Sequence, residues 1–314
     1  MKIAFLLYPT LSVKVDEDSS FWIMHELIRR GHRVSHFESS DLLWSGGQVR
    51  AHLTPSRLDA RKGFLPSPRA REAVPLDGMD AVFIRKEPPF NNEYLYALQL
   101  LALLKSRTFV LNDPSGIALC NEKLSVLGFH SFAPESLVTS SPEEARSFIR
   151  RLGKPVVVKP LDNKAGYGIF LTHSKDKNLG TLLDQAFLMG RRTAIIQRFV
   201  PHEKTGDKRI LVLNGEPLGC FTRVPSRSDF RANLSVGGSM RRASLSGREK
   251  KIVETMAPFL IEQGLYFVGL DVIGGYLSEV NVTSPSGIPE IRALEGKRLE
   301  KNISDFIERR SAGP

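Results

Sequence analysis

Apolar residues along the first 112 positions fall into short runs of strand type and longer runs of helical period, in alternation. Lys2 to Leu7 reads as a strand. Asp18-Ser19 is an N-cap signal for a helix from Phe21 to Arg30, which Gly31 stops. His32 to Glu38 and Asp80 to Arg85 predict strands, Asn92 to Lys105 a helix, and Thr108 to Asn112 another strand. This order predicts an open, mostly parallel α/β sheet. Between Leu43 and Asp77 the prolines and Gly46-Gly47 break any period, so the stretch predicts a long surface excursion with room for a small hairpin.

From Asp113-Pro114-Ser115 the pattern changes. Pro114 opens a helix running toward Leu124, and Glu135 to Thr139 is a short strand. Ser141-Pro142-Glu143-Glu144 then starts a helix with a cap and a proline in the first turn. Strands follow at Pro155 to Pro160, Ile169 to Thr172 and Thr193 to Val200. The last third predicts strands at Asp207 to Leu213 and Glu216 to Val224 around the turn pair Asn214-Gly215. A Gly-, Ser- and Arg-rich loop spans Pro225 to Ser239 and reads as mobile. A helix covers Arg248 to Gln263, and a charged amphipathic helix from Leu294 to Arg310 closes the chain.

The segment between those two helices carries the most specific pattern. Val268, Leu270 and Val272 on one strand, and Val280 and Val282 on the next, share one face by the period of two. A two-residue loop at Gly274-Gly275 would set the valines of one strand against the polar face of the other. A three-residue loop, Gly274 to Tyr276 with a glycine bulge, restores the match. Asp271 then lies opposite Glu279, with Asn281 beside them on the other face. That face is either an ordinary solvated one or a site for a hard cation such as Mg²⁺, which favours oxygen ligands together with nucleotide phosphates.

Composition narrows the class. With 314 residues and 41% hydrophobic content, the chain can bury a large core in two or three domains. The first apolar run is too short for a signal peptide, and Tyr94 to Leu104 is too short to span a bilayer, so a soluble, non-membrane protein is expected. Cys120 and Cys220 stand far apart without metal-ligand spacing, which gives no support to a disulfide framework or zinc site and fits the cytoplasm. The net charge of +10 gathers around 146–154 and 223–251. No nucleic-acid module accompanies it, so a polyanionic small-molecule site is the expectation and nucleic acid is not.

Lys159 ends a run of three valines, where a strand would deliver an ammonium to phosphate or let it snorkel to solvent. Asp162 to Gly168 could wrap phosphate with backbone N–H groups or form a plain turn. Arg209 and Arg223 on neighbouring strands, with Arg231-Ala232-Asn233 beyond them, could clamp a carboxylate or a phosphoryl group. No Ser-His-Asp or Cys-His arrangement is identifiable, the seven histidines standing in surface-like contexts.

In this order the chain resembles bacterial glutathione synthetases of the ATP-grasp superfamily, nearly end to end. The similar stretches are Asp18-Ser19-Ser20-Phe21, Arg85 to Phe90, Cys120-Asn121-Glu122-Lys123-Leu124, Lys159-Pro160-Leu161-Asp162, Gly206-Asp207-Lys208-Arg209, Asn214 to Pro217, Phe267 to Asp271 and Glu279 to Pro285. The resemblance implies an N-terminal substrate-side domain over 1–120, a central ATP-grasp subdomain over 121–199 and a C-terminal one over 200–314. It implies that Lys123 and Lys159 hold nucleotide phosphates, where Lys164 could add charge, that Gln197, Phe199 and Val200 border adenine, and that Asp207 belongs to the nucleotide site. Asp271, Glu279 and Asn281 would bind Mg²⁺, or Mn²⁺ in its place, and Arg209, Arg223 and Asn233 would meet the acyl phosphate and the acceptor. The implied reaction joins γ-glutamylcysteine and glycine through an acyl phosphate with ATP, in a homo-oligomer of the tetrameric kind.

Three departures fall on the substrate side. The phosphate loop is poorer in glycine and carries Lys164, Ala232 replaces the usual glycine between Arg231 and Asn233, and Pro289 stands where an arginine is usual before Glu290-Ile291. They keep open a ligase of another dipeptide or amino-acid pair and, more remotely, a non-catalytic nucleotide-binding protein.

Overall fold

The computed structural model describes residues 1–9, 14–104, 108–162, 166–202, 205–226, 229–232 and 237–312. In the N-terminal part β1 (Lys2–Leu6), α1 (Ser19–Arg29) and β2 (Arg33–Phe37) are followed by the excursion. It holds β3 (Leu42–Ser45), β4 (Gln48–Ala51), β5 (Thr54–Pro55), β6 (Leu58–Asp59), β7 (Gly63–Phe64) and β8 (Val74–Pro75). Then come β9 (Ala81–Ile84), α2 (Asn92–Ala102), β10 (Phe109–Leu111) and α3 (Pro114–Leu119). The sheet order is β10-β9-β1-β2-β5, parallel except for the short edge strand β5. The excursion is more ordered than its composition implies: β3, β4 and β8 form a three-stranded antiparallel sheet. Asp18 caps α1 by accepting from Phe21 N at 2.7 Å.

The central unit runs through β11 (Ser136–Thr139), α4 (Pro142–Leu152), β12 (Val156–Pro160), β13 (Phe170–Thr172), α5 (Leu179–Phe187) and β14 (Ala194–Arg198), with sheet order β11-β14-β12-β13. Its apolar residues, among them Phe148, Ile149, Val156, Val158, Phe187 and Ile196, make a core of their own. The C-terminal unit contains β15 (Asp207–Leu213), β16 (Glu216–Val224), β17 (Ser239–Arg242), α6 (Gly247–Glu262), β18 (Phe267–Ile273) and β19 (Tyr276–Asn281), then α7 (Ile288–Glu295) and α8 (Glu300–Ser311). Its sheet is antiparallel in the order β17-β16-β15-β18-β19.

The expected single closing helix is two helices. Gly296 takes φ 71°, a left-handed conformation that ends α7, and α8 begins after Lys297-Arg298-Leu299.

The C-terminal sheet packs against the N-terminal part, and their side chains share continuous cores, as where Ala4, Leu6 and Val82 join the cluster of Val212, Val268 and Val280. Polar contacts tie the same parts. Buried Asn112 donates to Phe267 O at 2.8 Å and Val282 O at 3.0 Å and accepts from Phe267 N at 2.8 Å. Buried Arg85 donates to Ser20 Oγ and Pro285 O, each at 2.9 Å. Two bodies result: the N- and C-terminal parts welded together, and a central unit with a separate core facing them across a cleft.

Candidate active site

The hairpin β18–β19 sets the site. Gly274 and Gly275, at φ 56° and 80°, form a two-residue turn of the kind that needs left-handed backbone at both positions, and Ile273 pairs with Tyr276. The expected three-residue loop is thus corrected. The register is restored two residues further on, where Asp271 pairs with Glu279 and Val272 with Leu277, so Ser278 is the bulged residue. The predicted pairing survives by a different device. Val268, Leu270, Val272, Val280 and Val282 are buried on one face, while Asp271, Glu279 and Asn281 share the other.

The bulge has a function of its own in the geometry. Lys159, delivered by the buried strand β12, donates to Ser278 Oγ and to Gln197 Oε1 on β14, both at 2.9 Å. Burial lowers the pKa of its ammonium, with Glu279 acting in the opposite sense. Lys159, Gln197, Phe199, Val200, Asp207, Asp271, Ser278 and Glu279 line one cleft between the central and C-terminal sheets. Phe230 and Arg231 close one side of it, Arg231 Nη1 reaching Gly166 O at 2.9 Å. Buried His202 also lies there, its Nδ1 3.0 Å from Val200 O, which corrects the expectation of surface-like histidines.

A second space, a cavity of about 1230 Å³, has Arg209, Arg223, Asp271, Glu279 and Asn281 in its wall. Asp271 and Glu279 border both spaces. Arg209 grips Asp271 in bidentate fashion, Nε to Oδ1 at 2.5 Å and Nη2 to Oδ2 at 3.0 Å. Arg223 Nη2 bridges Asp271 Oδ2 at 2.9 Å and Asp207 Oδ2 at 2.5 Å. Burial works to raise the Asp271 carboxyl, but the two guanidinium groups outweigh it and hold the group well below the usual carboxylate range. For Asp207 burial wins, and its pKa is raised despite Arg223. Lys123 pairs with Glu279 Oε1 at 3.2 Å and is almost wholly buried. Lys164 and Asn233 lie outside the described residues.

The donor set suits Mg²⁺. Asn281 spends its Nδ2 on Gly269 O at 3.1 Å and Asp271 Oδ2 at 3.3 Å, which leaves its carbonyl oxygen for a ligand. Two carboxylates and one carboxamide beside an open cleft match a cation that keeps waters and takes phosphate oxygens.

Comparison with known proteins gives the family. The model of the family described as prokaryotic glutathione synthetase, ATP-grasp domain, matches residues 122–296, and that of the prokaryotic glutathione synthetase N-terminal domain matches residues 1–118. The chain belongs to the prokaryotic glutathione synthetase family. It is accordingly an ATP-dependent carbon–nitrogen ligase. It is 41% identical to the glutathione synthetase of Thermosynechococcus vestitus over 317 residues, covering 98% of this chain and 99% of the relative. To that of Nitrosomonas europaea it is 39% identical, covering 99% of each. In fold it is similar to D-cycloserine synthetase DcsG, with a TM-score of 0.67 at 12% identity, covering 97% of this chain and 99% of that one. A RiPP-associated ATP-grasp ligase of Chryseobacterium gregarium gives a TM-score of 0.66 at 16% identity, covering 98% and 97%.

Two residues near the site went unassigned in the sequence. Ser278 carried no signal, because a bulge is invisible to a period-of-two reading. Glu122 lies within a stretch that the resemblance picked out, but its partner does not follow from spacing. It accepts from Thr283 Oγ1 at 2.8 Å, and burial, reinforced by Glu279, raises its pKa.

Proposed function

We propose that this ligase joins the γ-glutamylcysteine carboxylate to the glycine amine, giving glutathione, ADP and phosphate. A carboxylate oxygen attacks the γ-phosphorus of ATP, the bond to the β–γ bridging oxygen breaks, and ADP departs. The glycine amine then attacks the acyl carbon, and phosphate leaves with the electron pair of the C–O bond, the amine giving up its proton. No protein nucleophile is needed, so the work is positioning and charge.

In this reading Gln197, Phe199 and Val200 border the adenine, and Lys123 and Lys159 meet the phosphates, with Lys164 added from the phosphate loop. Asp207 orients Arg223. Arg209 and Arg223 receive the charge that develops on the acyl phosphate, and Asn233 assists the acceptor. Asp271, Glu279 and Asn281 would hold Mg²⁺ or Mn²⁺, which when bound neutralises phosphate charge. The central unit, with its separate core, would close on the nucleotide and exclude water from the acyl phosphate.

One observation carries the proposal: Asp271 and Glu279 stand in the wall common to two spaces, with a buried lysine on one side and two arginines on the other. That is what transfer between a nucleotide and a second substrate requires. Small molecules are then the partners, the cytoplasm is the compartment, and self-association into a homo-oligomer accompanies them. No described helix is long and apolar enough to cross a membrane.

The test is ADP release by purified protein with ATP, Mg²⁺, γ-glutamylcysteine and glycine, each left out in turn. Release that needs all of them and yields glutathione supports the proposal; turnover only with another acid and amine favours a second reading. Pro289, which lines the larger cavity in the first turn of α7, is the observation behind that reading of a ligase for a different pair.

A further inference from the structure

The larger cavity is polarised. Where α7 meets the start of α1, Ser19 Oγ accepts from Gly287 N at 3.1 Å and Ile288 N at 3.2 Å, which brings the first turn of α7 against the acidic entry to α1. Glu17, Asp18 and Glu290 line the cavity there, with Asp16 and Glu87 also on its wall. The cations of this wall are engaged: Lys14 pairs with Glu17 at 3.1 Å, and Arg292 pairs with Glu300 at 3.1 Å while its guanidinium lies 4.0 Å from the centroid of the Trp22 ring. Asp18 is likewise spent, capping α1 and accepting from Tyr8 Oη at 2.5 Å.

Glu290 is different. It is 8% exposed and lines the cavity; its carboxyl accepts from its own backbone N–H, but its Oε2 is buried with no hydrogen-bond partner among the described residues. An unmet carboxylate oxygen in such a place is costly, so a group that supplies the missing donor is favoured there. Arg209 and Arg223 act on Glu290 from β15 and β16, and Glu17 from the entry to α1, but the arginines are bonded to Asp271 and Asp207. Burial raises the carboxyl, and a cation beside it would favour its charged form.

We propose that Glu290 recognises the α-ammonium group of the donor substrate and thereby orients the donor, with its reacting carboxylate directed to Arg209 and Arg223. Glu290 is a specificity-determining residue, since a donor with no cationic end leaves its Oε2 unmet. The inference rests on the proposed ligation of γ-glutamylcysteine. A cavity of about 1230 Å³ has room for a donor of dipeptide size.

The experiment compares γ-glutamylcysteine with N-glutarylcysteine, which lacks only the α-amino group, in the wild type, Glu290→Gln and Glu290→Asp. The expected wild-type preference in kcat/KM for the amino donor is about 10- to 100-fold, the range of a hydrogen bond between charged groups. Glu290→Gln should raise KM for γ-glutamylcysteine by a similar factor, leave KM for ATP unchanged and bring the preference close to one. Glu290→Asp should restore part of it. An intact preference in Glu290→Gln overturns the proposal, and so does a fall in kcat with the preference kept, which would place Glu290 at the acceptor amine. Absence of glutathione from the wild-type reaction would instead overturn the ligation reading, and it is seen before any variant is compared.

Discussion

Lys159→Met keeps most of the side-chain length and removes its charge. In the nucleotide-free protein that charge is a burden: it is buried, held by two neutral oxygens at 2.9 Å, and in no ion pair among the described residues. Methionine leaves the buried Gln197 Oε1 and Ser278 Oγ without their donor, a cost that offsets only part of the gain from removing the charge. The apo melting temperature should therefore stay the same or rise. Nucleotide binding should suffer, since a charge-assisted contact to phosphate is worth about 3 kcal/mol, or roughly 100-fold in Kd. ATP at about 100 times the wild-type Kd stabilises the wild type by about 2.7 kcal/mol, and at that concentration the variant gains only about 0.4 kcal/mol. At roughly 2 °C per kcal/mol, thermal unfolding with and without MgATP should show a shift of about 5 °C in the wild type and under 1 °C in the variant. A variant that melts several degrees lower without ATP, or keeps the full ATP shift, refutes the assignment of Lys159 to phosphate.

Two further outcomes follow from the charge clusters. Glu26 accepts four hydrogen bonds, from Arg29 Nε and Nη2, Arg30 Nε and Arg298 Nη2, at 2.7–3.0 Å, and these, Arg29 foremost, hold its pKa at about 2. Because the folded value lies below the unfolded one, its contribution is complete above about pH 4.5 and is lost as pH falls toward 2. Denaturant titration of Glu26→Gln should show a loss of about 2 kcal/mol at pH 7 that shrinks through this window. Glu279→Gln removes the partner that Lys123 holds at 3.2 Å and half of the carboxylate charge at the proposed metal site. Turnover should fall by at least about 1000-fold, and more Mg²⁺ should be required for what remains, with circular dichroism unchanged.

The pairing of Asp271 with Glu279 was legible in the sequence because a buried face forbids the alternative register, whatever device achieves it. The device itself was not, since a bulge at Ser278 and one at the turn satisfy the same parity. Gly296 gave a readable stop signal that a continuous amphipathic pattern over 294–310 concealed. The sheet formed by β3, β4 and β8 was hidden for another reason: Arg50 pairs with Pro75 and Ala51 with Val74, across some two dozen residues, and no local period announces such a contact. The shared face of Asp271, Glu279 and Asn281 came through. Glu290 did not, because its significance lies in a partner it lacks, and only the packing of α7 on α1 exposes that.

The central claim is that the donor carboxylate is activated by phosphoryl transfer. It is tested most directly by following ¹⁸O from the reacting carboxylate of labelled γ-glutamylcysteine during turnover with ATP, Mg²⁺ and glycine. Formation of an acyl phosphate and its displacement by the amine must carry one labelled oxygen into inorganic phosphate for each glutathione formed, and mass spectrometry of the phosphate should show it. Phosphate released without label, alongside glutathione, would contradict the account.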